Sequence, residues 1–457
     1  MKRTLAATLV LAACSDHADL VNVGGMQEVL VMPAIPVHDL DVLFMVDDSP
    51  SMTDKQESLR ASFPRMMDQL ALLPDGLPNL HVGVITSDMG ASALDGTVGP
   101  GVGGTAQGAC NEKGKAGVLR NDPYNPTLIT GNYISDVAGP MGREVNYTGG
   151  LGDVFSAIAN VGMGGCGFEQ PLAAIANAVS PNNSANAGFL RDGANLAVVI
   201  LSDEDDCSLA HTGLLSTDIS VLGPLQSFRC TRYGVTCDDG GATTDAMNQT
   251  GSKSGCHQNT ASPYLADVDA LAHDLRFNLK ADPSQVMVAA IVGDPTPVEV
   301  ELRAPQGGTT QIPALAHSCS YAGNDGPAVA DPAVRIAEFV SQFAGRGALT
   351  SVCNADLTLP LTQIGISTRQ MMGDGCLAVK LADTRGDQVG VQPMCEVTDG
   401  DATLPSCDSA SVGQDCWVVI GDPNRCPGSP DNLRIEIQRA EPQVTQRYTH
   451  VKCLTAQ

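Results

Sequence analysis

The sequence has few aromatic residues, few basic residues and few charged residues of any kind. Aromatic side chains make up 4% of the 457 residues, and 26 Lys and Arg stand against 51 Asp and Glu, a formal net charge of −25. A surface this acidic repels nucleic acid and anionic lipid, which excludes both as direct partners. Beyond the first few positions no apolar run reaches about 18 residues, so no membrane-spanning helix is expected. The 43% of hydrophobic residues still supply a sizeable core.

The N-terminus has the layout of an export signal. A basic start at Lys2 and Arg3 precedes an apolar run over residues 4–13, which predicts a signal peptide over residues 1–13. The run ends Leu-Ala-Ala before Cys14, which resembles the lipobox of bacterial lipoproteins. That resemblance implies lipidation of Cys14 and anchoring to the bacterial cell envelope, at the outer membrane. An ordinary signal peptide is the alternative, and residues 14–37 are interpreted as a tether.

The cysteine count agrees with export. Of the 15 cysteines, 14 remain once Cys14 is set aside, an even number that fits disulfides formed in an oxidising compartment. Eight lie within residues 110–353 and six within residues 376–453. This division predicts two separately cross-linked units with a boundary near residue 370.

Apolar runs alternate with helical periodicity along the first unit. Short buried strands are predicted at residues 40–46, 81–86, 196–201 and 286–292, with amphipathic helices between them. This order predicts the α/β class: a mostly parallel central sheet with helices on both faces. Irregular insertions are expected near residues 90–150 and 204–262. The last segment, residues 371–457, is interpreted as a small Cys-rich, β-rich module that its disulfides stabilise.

Acidic and hydroxyl side chains follow two of these strands. Asp47, Ser49 and Ser51 come directly after the first strand, and Asp203 follows the strand at 196–201. Ligands bind at the carboxyl ends of strands in a parallel sheet, where these side chains can converge. Carboxylate and hydroxyl oxygens are hard ligands suited to Mg²⁺, Mn²⁺ or Ca²⁺. The alternative is that they are helix caps and turn residues, positions that favour Ser and Asp.

The Asp-x-Ser-x-Ser string between a buried strand and an amphipathic helix resembles that of the von Willebrand factor A (vWA) domain. The resemblance covers residues 38–370, apart from the two insertions. It implies a vWA/Rossmann-like fold and a metal-ion-dependent adhesion site formed by Asp47, Ser49, Ser51 and Asp203. It also implies a bound divalent cation, with Mg²⁺ favoured over Mn²⁺ and Ca²⁺, and a protein partner that offers an acidic side chain.

One departure from the family concerns its middle loop. Cys166 stands where the family has a threonine, so Glu169 is considered as a replacement carboxylate ligand. Alternatively, Glu169 caps the helix that begins near Pro171. Because Cys166 and Cys207 both flank the expected metal loops, we predict a disulfide between them.

These features predict a lipid-anchored envelope protein that mediates adhesion or another protein–protein interaction and is not an enzyme. Its contact with the membrane would be through the lipid anchor alone. One alternative is a structural, disulfide-stabilised envelope protein with a degenerate site that binds no metal. A metal-dependent hydrolase is a second alternative, since a cation with an open position can activate water.

Overall fold

The computed structural model describes residues 23–102, 109–305, 308–324, 326–343, 345–385 and 390–456. The predicted signal peptide and Cys14 lie outside these residues. In the described ranges the α-helices are α1 (Thr53–Leu70), α2 (Leu151–Ile158), α3 (Pro171–Val179), α4 (Ile219–Leu222), α5 (Phe228–Gly234), α6 (Thr244–Met247), α7 (Val268–His273), α8 (Val334–Ser341) and α9 (Thr358–Met371).

Nineteen strands lie in the same ranges. They are β1 (Val23–Pro33), β2 (Asp39–Val46), β3 (Asn79–Thr86), β4 (Ile134–Gly139), β5 (Gly142–Val145), β6 (Asn195–Leu201), β7 (Val235–Asp239), β8 (Gly251–Gln258), β9 (Val286–Val292), β10 (Val298–Arg303), β11 (Ile312–Leu315), β12 (Cys319–Gly323), β13 (Gly326–Ala330), β14 (Gly347–Ser351), β15 (Cys395–Asp399), β16 (Ala402–Leu404), β17 (Cys416–Gly421), β18 (Leu433–Gln438) and β19 (Tyr448–Ala456).

The largest sheet has seven strands in the order β14-β9-β6-β2-β3-β4-β5. Strands β14, β9, β6, β2 and β3 run parallel, whereas β4 and β5 add antiparallel at one edge. Strands β6 and β9 are buried along their whole length, which explains their nearly continuous apolar sequences. The four strands predicted at residues 40–46, 81–86, 196–201 and 286–292 are confirmed.

Helices cover both faces of this sheet. On one face Phe44 of β2 packs against Phe63 of α1 and Phe155 of α2, with ring centroids 5.9 and 4.7 Å away. On the other face Met45 belongs to a cluster that includes Ile175 of α3. Neighbouring residues of β2 thus point to opposite faces, as alternation along a strand requires.

As a description of the whole chain, the predicted fold class of a mostly parallel, vWA/Rossmann-like sheet is wrong. Of the fourteen strand pairings in the described residues, four are parallel and ten antiparallel. The strands form five sheets, and four of these are entirely antiparallel. The physical reason is that many of the added strands form hairpins, whose short connections join antiparallel strands. The antiparallel pairs β1–β19, β3–β4, β8–β10 and β15–β19 instead join strands far apart in the sequence.

The predicted tether at residues 14–37 is corrected for the part that the structure describes. Residues 23–33 form strand β1, which pairs antiparallel with β19 at the other end of the chain. The four-stranded sheet β1-β19-β15-β16 has its own apolar core, in which Leu30 and Val451 are fully buried. The C-terminal segment is β-rich as predicted. Its four-stranded sheet also contains β1, which comes before the central sheet in the sequence.

Seven disulfides join the 14 cysteines of the described residues. They are Cys110–Cys166, Cys207–Cys230, Cys237–Cys256, Cys319–Cys353, Cys376–Cys426, Cys395–Cys453 and Cys407–Cys416. The predicted Cys166–Cys207 bond is wrong, because each of its two cysteines bonds to a cysteine within an insertion. No bond crosses from the first eight cysteines to the last six, as the spacing predicted.

Disulfides in this number persist in oxidising compartments, so this is an exported protein stabilised by disulfides. None of the helices in the described ranges is long and apolar enough to cross a membrane.

Candidate functional site

The site lies at the carboxyl ends of β2, β3 and β6. Val46, the last residue of β2, is level with Thr86 of β3 and with Leu201 of β6. The next residue of each strand is therefore brought to one point, and these are Asp47, Ser87 and Ser202. The backbone N–H of Asp47 continues the ladder by donating to the carbonyl of Leu201 at 2.9 Å.

Asp47 is fully buried and accepts hydrogen bonds through both carboxylate oxygens. Its Oδ1 accepts from the backbone N–H of Ser49 at 2.8 Å and from Ser87 Oγ at 3.2 Å. Its Oδ2 accepts from Ser202 Oγ at 2.7 Å. Burial, together with the negative charge of Asp203, raises the pKa of Asp47 to about 7. Asp47 is thus a firmly held carboxyl group whose charged form is disfavoured by burial and would be stabilised by a nearby cation.

The two serine hydroxyls of the first loop face each other. Ser49 Oγ and Ser51 Oγ lie 3.1 Å apart. Two ligand oxygens at about 2.1 Å from an octahedral Mg²⁺ are separated by about 3 Å, so this spacing suits adjacent ligands of one ion. The hydroxyls lie at the start of α1, where the 3₁₀ turn Pro50–Met52 presents them next to the end of β2.

Asp203 makes one hydrogen bond from a side chain and has one unsatisfied oxygen. Its Oδ2 accepts from Lys55 Nζ at 2.8 Å, and Lys55 also donates to the carbonyl of Ser51 at 3.1 Å. Its Oδ1 is buried without a hydrogen-bond partner in the described residues. A buried carboxylate oxygen without a partner is costly, and a cation is one group that would satisfy it.

Two glutamates extend the acidic cluster. Glu169, which is buried, and Glu204, which is half-buried, are hydrogen-bonded to each other through their side chains. Removal from water raises the pKa of Glu204 to about 8, helped by the charges of Asp331, Asp203 and Asp47. Burial also raises the pKa of Glu169 well above its usual value, with added repulsion from Glu204 and Asp47. Both carboxyl groups are therefore harder to ionise than a glutamate in water.

A cavity of about 740 Å³ opens directly above this cluster. Ser49, Ser51, Glu169 and Glu204 line one side of it. Other lining residues come from the second insertion and from the β10–β11 hairpin, which includes Ile312 and Arg303. Volumes of this size belong to ligand pockets, and the acidic cluster is accessible from it.

The predicted site residues Asp47, Ser49, Ser51 and Asp203 therefore meet at one edge of the sheet. Glu169 reaches the same cluster, but the helix-cap alternative is not what the structure shows. The N-cap residue of α3 is Gln170, and the N–H of Leu172 is instead bound by Asp206 Oδ1 at 3.1 Å. Whether any of these residues bind a metal stays a prediction.

Sequence reasoning missed several members of the site. Lys55 could have been found, because it lies one helical turn after Ser51 on the same face of α1. Ser202 and Glu204 flank Asp203 but carry no distinguishing pattern. Asp331 follows β13, far along the chain, and reaches Asp203 through its N–H, which donates to the Asp203 carbonyl at 2.8 Å. Only the folded chain places it there.

The neighbouring acids of the second loop have structural roles. Asp205 accepts from the backbone N–H groups of Arg335 and Ile336 at the start of α8. Asp206 is fully buried and paired with Arg335, whose Nη2 lies 3.0 Å from its Oδ2. These contacts fix the loop that carries Asp203.

The donor set has features for and against a bound divalent cation. Three features favour a bound cation: the two facing hydroxyls, the carboxyl groups of Asp47 and Asp203, and the unsatisfied Oδ1 of Asp203. Lys55 would compete for Asp203 Oδ2, but it leaves the second oxygen available. Elsewhere in the described ranges, Asp374, Cys376 and Cys426 also bring three ligand atoms together. The two cysteines of that group are bonded to each other, so they offer no thiolate.

No model of a known protein family and no curated protein matches the sequence. Among solved structures, a pilus adhesin from Lactobacillus rhamnosus GG is similar at 11% identity, over 92% of this chain and 40% of that one, with a TM-score of 0.32. The adhesive tip pilin from Group B Streptococcus agalactiae is similar at 11% identity, over 94% of this chain and 82% of that one, with a TM-score of 0.28. The chain thus spans less than half of the first of these proteins. TM-scores this low assign neither fold nor function.

Proposed function

We propose that this exported protein belongs to the bacterial cell envelope and binds a protein partner through a divalent cation held by Asp47, Ser49, Ser51 and Asp203. The observation that supports this most is the excess of buried carboxyl groups around the facing hydroxyls of Ser49 and Ser51, both of which line the cavity. Oxygen donors of this kind suit Mg²⁺ first, with Mn²⁺ or Ca²⁺ as alternatives. Glu169 is a further candidate ligand.

The cation would supply a positive charge that accepts an acidic side chain from the partner. This explains how a chain with a net charge of −25 can bind a carboxylate. The role of the chain's own residues is to orient: Ser87 and Ser202 hold the Asp47 carboxylate, and Lys55 holds one oxygen of Asp203. We propose binding rather than catalysis because the partner's carboxylate completes the site.

The second candidate is a structural envelope protein whose site binds no metal. Lys55 favours it, since its ammonium group already neutralises Asp203. The raised pKa values of Glu169 and Glu204 favour it as well, because a protonated carboxyl group needs no cation. In that case the cluster would be a stable arrangement of one lysine, protonated carboxyls and hydroxyl donors.

Calorimetric titration separates the two candidates. MgCl₂, MnCl₂ and CaCl₂ are titrated into the chain from Ser15 onward, which keeps every described residue. The test variant carries Asp47→Asn and Asp203→Asn, and the control carries Asp245→Asn, whose side chain is 92% exposed and outside the site. Binding in the parent and the control that is lost in the test variant supports the cation site. Absence of heat and of any shift in Tm at millimolar cation overturns it and favours the structural role.

We further propose that Cys14 carries the lipid anchor and that the protein contacts the membrane only through it. In a bacterial host, the parent should fractionate with membranes and Cys14→Ser should be released into the soluble fraction. Two or more acyl chains are needed for stable anchoring, so intact-mass measurement of the detergent-extracted protein should show them. A Cys14→Ser variant that stays with the membranes would contradict this assignment.

A further inference from the structure

Besides the acidic cluster, the cavity is lined by five large apolar side chains, which we call the apolar wall: Ile219, Leu225, Phe228, Ile312 and Leu315. Polar side chains from the same segments, Gln226, Thr231 and Arg303 among them, lie between these residues in the sequence or next to them. Ile219 is 65% exposed, and Leu225 and Phe228 are each half-buried. Large apolar side chains left accessible around a concave surface indicate a binding site.

We propose that the apolar wall selects the partner: it accepts a bulky aliphatic or aromatic side chain adjacent to the acidic residue at the cation site. This inference rests on the proposed function and adds to it the identity of the neighbouring residue. The lining is complementary to such a dipeptide, since it combines the acidic cluster that would hold the cation with large apolar side chains. A volume of about 740 Å³ accommodates an extended segment with two or three side chains.

The apolar wall is held rigidly, as a selective surface must be. Arg229 is almost fully buried and donates to four backbone carbonyls of the segment that leads into the wall. Its Nη1 bonds to Leu214 and Ser216, both at 2.7 Å, its Nη2 to Gly223 at 2.7 Å, and its Nε to Pro224 at 2.9 Å. These bonds fix residues 214–224 before any partner binds. A preordered surface loses less entropy on binding than a loose one does.

A disulfide ties the same surface to the acidic cluster. Cys230, in α5, is bonded to Cys207, four residues after Asp203. The backbone N–H of Cys207 in turn donates to the carbonyl of Glu169 at 2.8 Å. The distance between the charged side and the apolar side is therefore set by covalent and hydrogen bonds, which fixes the spacing between the two residues that the site would recognise.

The experiment uses the chain from Ser15 onward and defined peptides. A displayed library of random heptapeptides is selected with Mg²⁺ present, and enriched sequences are remade with Asp–Leu, Asp–Ala, Asn–Leu and Lys–Leu at the central pair. Affinity is measured with Mg²⁺ and with a chelator. Asp–Leu should bind roughly tenfold more tightly than Asp–Ala, at the low end of what an apolar pocket discriminates.

Two variants of the same helix provide the matched comparison. Ile219→Glu places a charge in the apolar wall, whereas Val221→Glu changes a side chain that is 64% exposed and does not line the cavity. Ile219→Glu should abolish the preference for Asp–Leu, while Asp–Leu and Asp–Ala both still bind more tightly in Mg²⁺ than in chelator. Val221→Glu should alter neither.

The outcomes distinguish this inference from the proposed function. Enrichment of acidic peptides without an apolar neighbour overturns the selection by the wall while leaving the cation site intact. Equal binding of Asp–Leu in chelator and in Mg²⁺ overturns the proposed function, as does preferential binding of Lys–Leu. An unchanged preference in Ile219→Glu overturns the assignment of the wall.

Discussion

Lys55 Nζ lies 2.8 Å from Asp203 Oδ2, and both side chains are almost fully buried. The ammonium group thereby neutralises one oxygen of the carboxylate, while the other oxygen has no partner in the described residues. Removing one member of a buried ion pair leaves the other charge uncompensated in a medium of low polarity. The charge of Lys55 therefore sets how much negative charge remains at Asp203 for a cation to neutralise.

Replacing Lys55 by Met should destabilise the protein and strengthen Mg²⁺ binding. In chelator the free energy of unfolding should fall by about 3–5 kcal/mol, the range found when one buried partner is removed. Saturating Mg²⁺ should restore part of that loss, because the cation then meets no competition at Asp203. Urea unfolding with and without Mg²⁺ measures both effects.

The control is Arg65→Met, whose exposed pair with Asp68 at 3.3 Å should be worth less than about 1 kcal/mol. A Lys55→Met variant that loses stability and gains nothing from any of the three cations would support the metal-free structural role instead.

The acidic cluster should make stability fall as the pH rises. Burial raises the pKa of Asp47 to about 7 and that of Glu204 to about 8, whereas both groups titrate near pH 4 in the unfolded chain. Between these values the folded state binds more protons than the unfolded one, so their contribution is full below about pH 4 and is lost as the pH rises through 7 to 8. In chelator, urea unfolding should show decreasing stability from pH 5 to pH 8.5.

The double variant Asp47→Asn, Glu204→Gln should flatten that slope, although the raised pKa of Glu169 keeps part of it. Asp95→Asn is the control. Hydrogen bonds from Thr97 and His211 lower the pKa of Asp95 to about 2, so it is ionised throughout this range in both states. A slope that the double variant does not change would contradict the assignment of these groups.

The sequence predicted the strands of the central sheet better than the strands of the insertions and of the two ends of the chain. Strand β9 occupies the predicted residues 286–292 because a run of seven apolar residues can only be buried on both faces. Strands β4 and β5 lie in a segment rich in Gly, Asn and Pro, where no alternation marks them, and β1 pairs with a strand more than 400 residues away. Neither pairing has a local signal in the sequence.

The candidate site shows the same limit. Asp47 and Asp203 could be placed together because each directly follows a buried strand of one sheet. The disulfide prediction for Cys166 and Cys207 was wrong because nearness to the site does not specify which sulfur atoms meet. Cys110 and Cys230, their actual partners, lie in irregular insertions whose paths depend on tertiary packing.

Removing the Cys207–Cys230 disulfide should weaken selection by the apolar wall more than it weakens cation binding. The double variant Cys207→Ser, Cys230→Ser opens a loop with a sequence separation of 23, for which chain entropy gives a loss of about 3 kcal/mol. The Asp–Leu peptide should then lose its advantage over Asp–Ala, because the wall no longer keeps its distance from Asp203. Calorimetry should show Mg²⁺ affinity little changed.

The control for this variant is Cys407→Ser, Cys416→Ser, which opens a bond of separation 9 in the C-terminal part of the chain. It should lower the free energy of unfolding by a similar or slightly smaller amount and leave peptide selection as it is. Loss of selection in both double variants would mean that general destabilisation, and not the position of the wall, is responsible.

Arg229→Lys should loosen the segment at residues 214–224 without unfolding the protein. The guanidinium group binds four carbonyls at once in a planar arrangement, and an ammonium group cannot reproduce that geometry. Amide hydrogen exchange in residues 214–224 should therefore accelerate by more than about tenfold, since local opening then costs less free energy. Exchange in the buried strand β6 should stay as slow as in the parent. Arg60→Lys, which alters a single 3.1 Å hydrogen bond from α1 to Ser156 of α2, is the matched control and should not affect the segment. Unchanged protection of residues 214–224 in Arg229→Lys would show that the wall is not held by Arg229, and the rigidity on which its selectivity depends would need another source.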